Sequence, residues 1–281
     1  MDIQWYPGHM AKTKRQMRES MPLIDLVVEI VDARIPISSR NPEFDSLFSK
    51  KPRIVLLNKS DIADEQANAV WVRHFYEQGI HAIAADCKSG KGLNAFSPLV
   101  REVMAKKIER YKQKGMVNRL IRIMVAGIPN SGKSTFINRL SSGGKAKAAD
   151  RPGVTRGHQW FSTRDGFELL DTPGLLYPKL NNPTTARHLA YTGAIKDEVL
   201  NIEELAYGLL EILRTNYSDL LSKRYKLTEQ LPDDCNELLN MIGRRRGMLM
   251  PGGIVDTERA SVMLLDEFRG GKIGRITLEF P

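Results

Sequence analysis

The 281-residue chain is 42% hydrophobic and 27% charged, which provides for a real core and leaves room for two domains. No run approaches the ~18 apolar residues of a membrane span, residues 1–20 lack the apolar core of a secretory signal, and Cys87 and Cys235 form neither a metal-ligand spacing nor a disulfide framework. A cytoplasmic protein is therefore expected, and the net charge of +9 points equally to a polyanionic partner such as nucleic acid and to plain solubility.

The first element, "HMAKTKRQMR" (9–18), reads as a basic helix that sets Lys12, Lys14, Arg15 and Arg18 beside His9. "LIDLVVEIVDAR" (23–34) and "RIVLLN" (53–58) are short β-branched apolar runs ending in polar residues, the pattern of buried strands. "DEQANAVWVRHFYEQG" (64–79) predicts a helix closed by Gly79, followed by a strand in "IHAIAAD" (80–86). "LNAFSPLVREVMAKKIERYKQKG" (93–115) predicts one helix that turns strongly basic before Gly115. "LIRIMVAG" (120–127) predicts a strand feeding a glycine-rich loop, and "KSTFINRLS" (133–141) the start of a helix. "QWFSTRDGFELLD" (159–171) predicts two short strands about the turn at Asp165-Gly166. Strands alternating with helices give an α/β domain with a mostly parallel sheet and flanking helices.

After Pro178 the texture changes. Helical periodicities follow in 184–195, 201–216, 235–247 and 256–270, and only "RITLEF" (275–280) is strand-like. The expected division is a nucleotide-binding domain over 1–180 and a small α-helical C-terminal domain over 181–281.

"GIPNSGKS" (127–134) fits G-x-x-x-x-G-K-[ST] with a strand before it and a helix after it. Backbone N–H groups of Asn130, Ser131, Gly132, Lys133, Ser134 and Thr135 are placed to cradle phosphates at a helix N-terminus. Lys133 would reach the terminal phosphates, and the Ser134 hydroxyl would ligate Mg²⁺. "DTPG" (171–174) ends a strand downstream, where Asp171 would hold Mg²⁺ and the Gly174 N–H would meet the γ-phosphate. "ADRPGVT" (149–155) lies between the two and offers Thr155 as the threonine that senses the γ-phosphate through Mg²⁺.

"NKSD" supplies Asn58, Lys59, Ser60 and Asp61. Guanine shows N1–H and an exocyclic amine side by side, and the Asp61 carboxylate accepts from both. Adenine would turn a lone pair towards that carboxylate and leave it unpaired, a loss of a few kcal/mol. Lys59 can lay its stem over the base, and Asn58 can tie the turn to the rest of the site. Taken alone, the four residues could equally be an exposed turn. Asp86, Cys87 and Lys88, in "DCKSGKGL" (86–93), stand where a second base loop belongs, with backbone contacts expected more than side-chain ones.

The motifs run base reader, base loop, phosphate loop, switch one, switch two, so the domain reads as a circularly permuted P-loop GTPase. Joined natural termini and new ends elsewhere allow such a rearrangement in a sheet fold. The new C-terminal end follows switch two, which ties the helical region to the segment that moves when the γ-phosphate is lost.

With "WYPGHMAK", "DARIPISSRNP", "NKSD", "GIPNSGKS", "RPGVT" and "DTPGLLYPK" together, the chain resembles the YlqF-type family of circularly permuted GTPases through residues 3–178 and more loosely beyond. The resemblance implies GTP/GDP with Mg²⁺ as ligands, the immature large (50S) ribosomal subunit and its rRNA as partner, and a role in late subunit assembly. It also implies a catalytic role for His9, since Leu175 follows "DTPG" where Ras-type enzymes carry the water-orienting glutamine. Intrinsic hydrolysis is accordingly expected to be slow and partner-stimulated. A surface histidine is the plainer reading of His9, and His158 is its rival. Asn130 resembles the asparagine of K⁺-stimulated GTPases, although it is also a plain loop residue.

Basic clusters at 9–18, 105–119 and Arg244, Arg245, Arg246 add candidate RNA contacts, without any motif for reading base sequence. Neither a DNA partner nor a membrane anchor is indicated, and a monomer is expected. The alternative function is an RNA-binding scaffold whose GTP site is structural and hardly turns over. A GTPase acting on another polyanion, such as tRNA, is a third.

Overall fold

The computed structural model describes residues 8–116, 119–142, 159–176 and 182–281; the side chain of His9 lies outside what is described. Six strands form one sheet in the order β3-β2-β1-β4-β6-β5. In chain order they are β1 Leu26–Asp32, β2 Arg53–Asn58, β3 His81–Ala84, β4 Ile121–Ala126, β5 Gln159–Ser162 and β6 Phe167–Asp171. All neighbours pair in parallel except β5, which runs antiparallel on β6.

Every residue of β1 is buried, as a central strand covered on both faces requires. The covering helices are α1 Gly8–Ser20, α2 Glu43–Leu47, α3 Glu65–Glu77, α4 Phe96–Val103, α5 Ala105–Gln113 and α6 Lys133–Leu140. One face of the sheet packs Phe96, Val100, Met104 and Phe136 against Val28, Ile30 and Ile123. On the other face, Met10 and Met17 of α1 join Phe44, Ile128, Leu175 and Leu176, while Trp71 and Phe75 of α3 cover Val31, Val55 and Leu57.

The local chemistry sets the helix ends. Asp64 caps α3 by accepting from the Ala67 N–H at 2.8 Å, and Gly79 ends the turn after it at φ 73°. The single helix expected over 93–115 is instead a short 3₁₀ turn followed by α4 and α5. The break falls at Met104, whose side chain is buried in the core of the sheet.

Beyond residue 182 the chain is helical: α7 Pro183–Tyr191, α8 Ile202–Asn216, α9 Ser218–Tyr225, α10 Cys235–Arg245 and α11 Thr257–Arg269. Asn182, Asn201, Asp234 and Asp256 cap α7, α8, α10 and α11. Leu205, Leu209, Leu213, Leu239, Leu264 and Phe268 form a second core. Leu189, Ala194 and Ile195, in contrast, pack into the cluster that holds Leu175 and Leu176.

The strand-like "RITLEF" is not a strand. It crosses back over the sheet domain as an isolated extended segment, held by single hydrogen bonds. The Ile276 N–H donates to the Ile62 carbonyl at 3.0 Å and the Leu278 N–H to the Arg34 carbonyl at 2.8 Å. The Glu279 carboxylate accepts from the Ile37 N–H at 2.7 Å and from the Ser38 hydroxyl, and lies 2.8 Å from His188 Nδ1. Its side-chain and backbone partners come from separate loops, so no continuous ladder forms.

Candidate functional site

The parallel strands deliver their loops to one edge of the sheet, the carboxyl edge, where α/β sheets bind ligands. The base turn follows β2, the second base loop follows β3, the phosphate loop follows β4 and "DTPG" follows β6. The reversal of strand order falls between β1 and β4.

Asn58 joins three of these loops. Its Nδ2 donates to the Ser131 carbonyl at 2.8 Å, and its Oδ1 accepts from the Cys87 N–H at 3.0 Å. Gly132, in left-handed geometry at φ 99°, lies so close that a Cβ would collide with the Asn58 amide. The base turn and the phosphate loop are thus pinned together through a glycine that no other residue can replace.

Lys59, also left-handed at φ 62°, sends its ammonium 2.8 Å to Asp32 at the end of β1. Asp32 also pairs bidentately with Arg34, at 2.9 Å and 2.8 Å. Burial opposes ionisation, but Arg34 and Lys59 hold the Asp32 carboxyl well below the usual carboxylate range. Asp61, in contrast, is exposed, and its carboxylate makes no hydrogen bond among the described residues, with the charge of Lys59 nearby, which leaves its oxygens open to a base. The Ser60 carbonyl accepts from Asn68 Nδ2 at 3.1 Å.

The loop after β3 holds Asp86, Cys87 and Lys88. Asp86 spends its carboxylate on its own loop, accepting from the Lys88 and Ser89 N–H groups at 2.8 Å and 3.1 Å. Lys88 is exposed. Cys87 is buried, and burial pushes its thiol up to about 12, so it is an inert packing residue.

In the phosphate loop Lys133 is 8% exposed and donates to the Ile128 carbonyl at 2.7 Å. Burial pulls its ammonium down to about 8, with Asp171 partly offsetting the shift. Burial pushes Asp171 up to about 6, with Lys133 partly offsetting in turn. Asp171 Oδ1 is buried with no hydrogen-bond partner. Ser134 and Thr135 are half-buried at the start of α6. The Asn130 side chain is committed on one side, with Nδ2 donating to the Gly193 carbonyl just after α7 at 2.7 Å.

"DTPG" docks on this loop. The Leu175 N–H donates to the Gly127 carbonyl at 3.2 Å, and a Cβ on Gly174 would come 2.8 Å from the Pro129 nitrogen. The Leu175 side chain is fully buried in the core and its carbonyl accepts from Asn41 Nδ2 at 2.9 Å. Leu175 is therefore an anchor of this loop, its side chain packed in the core. Thr155 and His158 lie outside the described residues. His9 is the second residue of α1, next to Met10, whose side chain shares a cluster with Leu175 and Leu176.

The basic candidates divide. Lys14 is held by Glu43 at 2.5 Å, Arg15 pairs loosely with Glu19 at 3.7 Å, and Arg246 is held by Glu267 at 3.0 Å. Arg245 makes a looser pair with Glu229 at 3.8 Å. Lys12, Arg18 and Arg244 are exposed without acidic partners among the described residues.

The sequence alone does not point to Asp32, Arg34, Gly193 or Glu279. The signal available for Asp32 was an acidic residue closing an otherwise apolar strand beside an arginine two positions on.

A family model described as "50S ribosome-binding GTPase" matches residues 122–241. Ribosome biogenesis GTPase A of Priestia megaterium is 49% identical over 282 residues, covering 100% of this chain and 98% of that protein. The protein of the same name from Bacillus cereus is 45% identical, covering 100% and 95%. Among solved structures, GNP-bound YlqF from T. maritima superposes with a TM-score of 0.65 at 30% identity, covering 96% of this chain and 98% of that one. The sheet order, the permuted succession of loops and these full-length likenesses agree on a GTP-hydrolysing enzyme, and the chain belongs to the ribosome biogenesis GTPase A, or YlqF, family of circularly permuted GTPases.

Proposed function

We propose that this GTPase assists late maturation of the large ribosomal subunit, docking on a precursor in its GTP state and leaving after hydrolysis. The observation that carries the reading is the Asn130 bond to Gly193, because it joins the phosphate loop directly to the helical region. A change at the γ-phosphate is thereby felt in residues 181–281, which we take as the ribosome-binding domain beside the GTPase domain of 1–180. The 50S-binding description of the matching family model and the net charge of +9 support rRNA as the surface met.

In this reading Asp61 selects guanine, the phosphate-loop N–H groups hold the phosphates, and Lys133 exchanges the Ile128 carbonyl for a terminal phosphate oxygen. Ser134, Thr155 and Asp171 would hold Mg²⁺, which supplies charge neutralisation of the phosphate oxygens. The unpartnered, buried Asp171 Oδ1 fits a cation. Asn130 keeps its Oδ1 for K⁺, since Nδ2 is committed to Gly193. With Leu175 buried, His9 is the residue assigned to the attacking water. Lys12, Lys14, Arg15, Arg18, Arg244, Arg245 and Arg246 remain the RNA-contact set, and the exposed, unpaired Lys12, Arg18 and Arg244 are its strongest members. The protein acts in the cytoplasm as a monomer, with no DNA or membrane partner; among the described residues no helix is long and apolar enough to cross a membrane.

Sedimentation with large-subunit precursors tests this. With a non-hydrolysable GTP analogue the chain should co-sediment about tenfold more tightly than with GDP, a coupling of ~1.4 kcal/mol. Equal sedimentation in both states would leave the enzyme standing and remove the switch.

A further inference from the structure

A second basic feature lies at the opposite end of the sheet. At ~3.3 Å per residue, strands of about six residues set their amino edge ~20 Å from the nucleotide loops. There a cleft of about 600 Å³ opens between the turn before β2 and the α4–α5 joint. Its lining brings together Lys50, Lys51, Lys106, Lys107, Arg110 and Lys114, with Asp25 as the acidic member.

Asp25 does not balance this set. It is 2% exposed and accepts from Lys107 Nζ at 2.6 Å, from the Tyr111 hydroxyl at 2.9 Å and from the Arg122 N–H at 3.0 Å. Burial works against its charge, but these bonds outweigh it and hold its carboxyl below the ordinary value. One carboxylate so engaged compensates one lysine. Lys51 donates to the Ile24 carbonyl at 2.6 Å. Lys50, Lys106, Arg110 and Lys114 are exposed and have no acidic partner among the described residues. Burial, and then the neighbouring charge of Lys107, push the Lys51 ammonium below its ordinary value.

The spacing indicates the kind of anion. Lys106, Arg110 and Lys114 follow one another at intervals of four along α5 and its C-cap, which places their Cβ atoms about 6 Å apart on one face. Like charges at that spacing repel one another when no counter-charge is present. A row of this kind suits a polymer with a charge on every repeat better than a lone phosphate. A cleft suits the ridge of a folded nucleic-acid backbone better than the plane of a membrane. Arg119 stacks 4.4 Å from the centre of the ring of Tyr111, itself a residue of the cleft lining.

We propose that the cleft between residues 50–52 and the α4–α5 joint is a binding site for the RNA phosphodiester backbone, distinct from the nucleotide site at the other edge. It rests on the RNA partner proposed above and adds a second footing on that RNA. The test uses the full chain carrying Lys50→Gln, Lys106→Gln and Lys114→Gln together, all exposed positions. The probe is a fluorescein-labelled RNA hairpin with a long stem, read by anisotropy from about 50 to about 200 mM KCl.

GTP binding and thermal stability should match the wild type. RNA affinity should fall about tenfold or more, and the slope of log K against log[KCl] should become less negative by about 2–3, for three cations removed. A triple variant that binds RNA as the wild type does, with the same slope, overturns the cleft. A variant that loses binding to phosphatidylglycerol vesicles but keeps RNA overturns it in favour of a membrane. If the wild type fails to bind the hairpin yet sediments with large-subunit precursors, the cleft alone falls. If it does neither, the ribosomal reading falls as well.

Discussion

Replacing Arg34 with alanine is expected to destabilise the fold by about 3–5 kcal/mol, because it breaks a buried ion pair by removing one partner. Arg34 is 1% exposed. Its guanidinium satisfies both oxygens of Asp32, donates to the Phe268 and Arg269 carbonyls at 3.2 Å and 3.3 Å, and sits 5.1 Å from the Phe268 ring centre. Without it the Asp32 carboxylate keeps only Lys59 and the backbone N–H of residue 34, and the end of α11 loses two hydrogen bonds to the loop after β1. Arg34→Lys should recover little of the loss, since one ammonium cannot reproduce a planar fork of donors. Urea unfolding of both variants gives the measurement. A shift below about 1 kcal/mol would mean that the pair is not the clasp described here.

Asp61→Asn should leave stability nearly unchanged and redirect the base preference. The side chain is exposed and makes no bond within the protein, so the substitution is expected to stay within about 0.5 kcal/mol. Towards guanine it replaces a carboxylate that accepts twice by an amide that accepts once and presents a donor to a donor. With charge-assisted bonds worth about 1.5–3 kcal/mol each, GTP affinity should drop about 100-fold or more. Xanthine carries a carbonyl where guanine carries the amine, and the Asn Nδ2 can donate to it. Competition between GTP and XTP for wild type and variant reads this directly. Unchanged GTP affinity in Asp61→Asn would remove "NKSD" as the base reader.

The stretches of the site fixed by local chemistry were legible in the sequence. A glycine-rich loop between a strand and a helix has few readings, and a polar turn at the end of a buried strand can only sit at the carboxyl edge. The permuted order followed from those placements. What escaped were bonds between distant residues. Nothing near Arg34 announces that its donors meet carbonyls at 268 and 269, and nothing near Asn130 announces Gly193. The tail misled for the same reason. Alternating Ile276 and Leu278 look like a strand, but each finds its backbone partner on a different loop. Ion pairs that occupy Lys14 and Arg246 are equally invisible to a count of charges. The helix broken at Met104 shows tertiary packing overriding a continuous helical pattern.

The direct test of the account is GTP turnover in Mg²⁺ and K⁺, alone and with purified large ribosomal subunits, for wild type and His9→Ala. The expected result is slow turnover alone, stimulation by about 10³-fold or more on the particle, and loss of that stimulation in His9→Ala while GTP binding persists. No stimulation by any large-subunit particle, mature or immature, would contradict it and put the RNA-binding scaffold with a structural GTP site in its place.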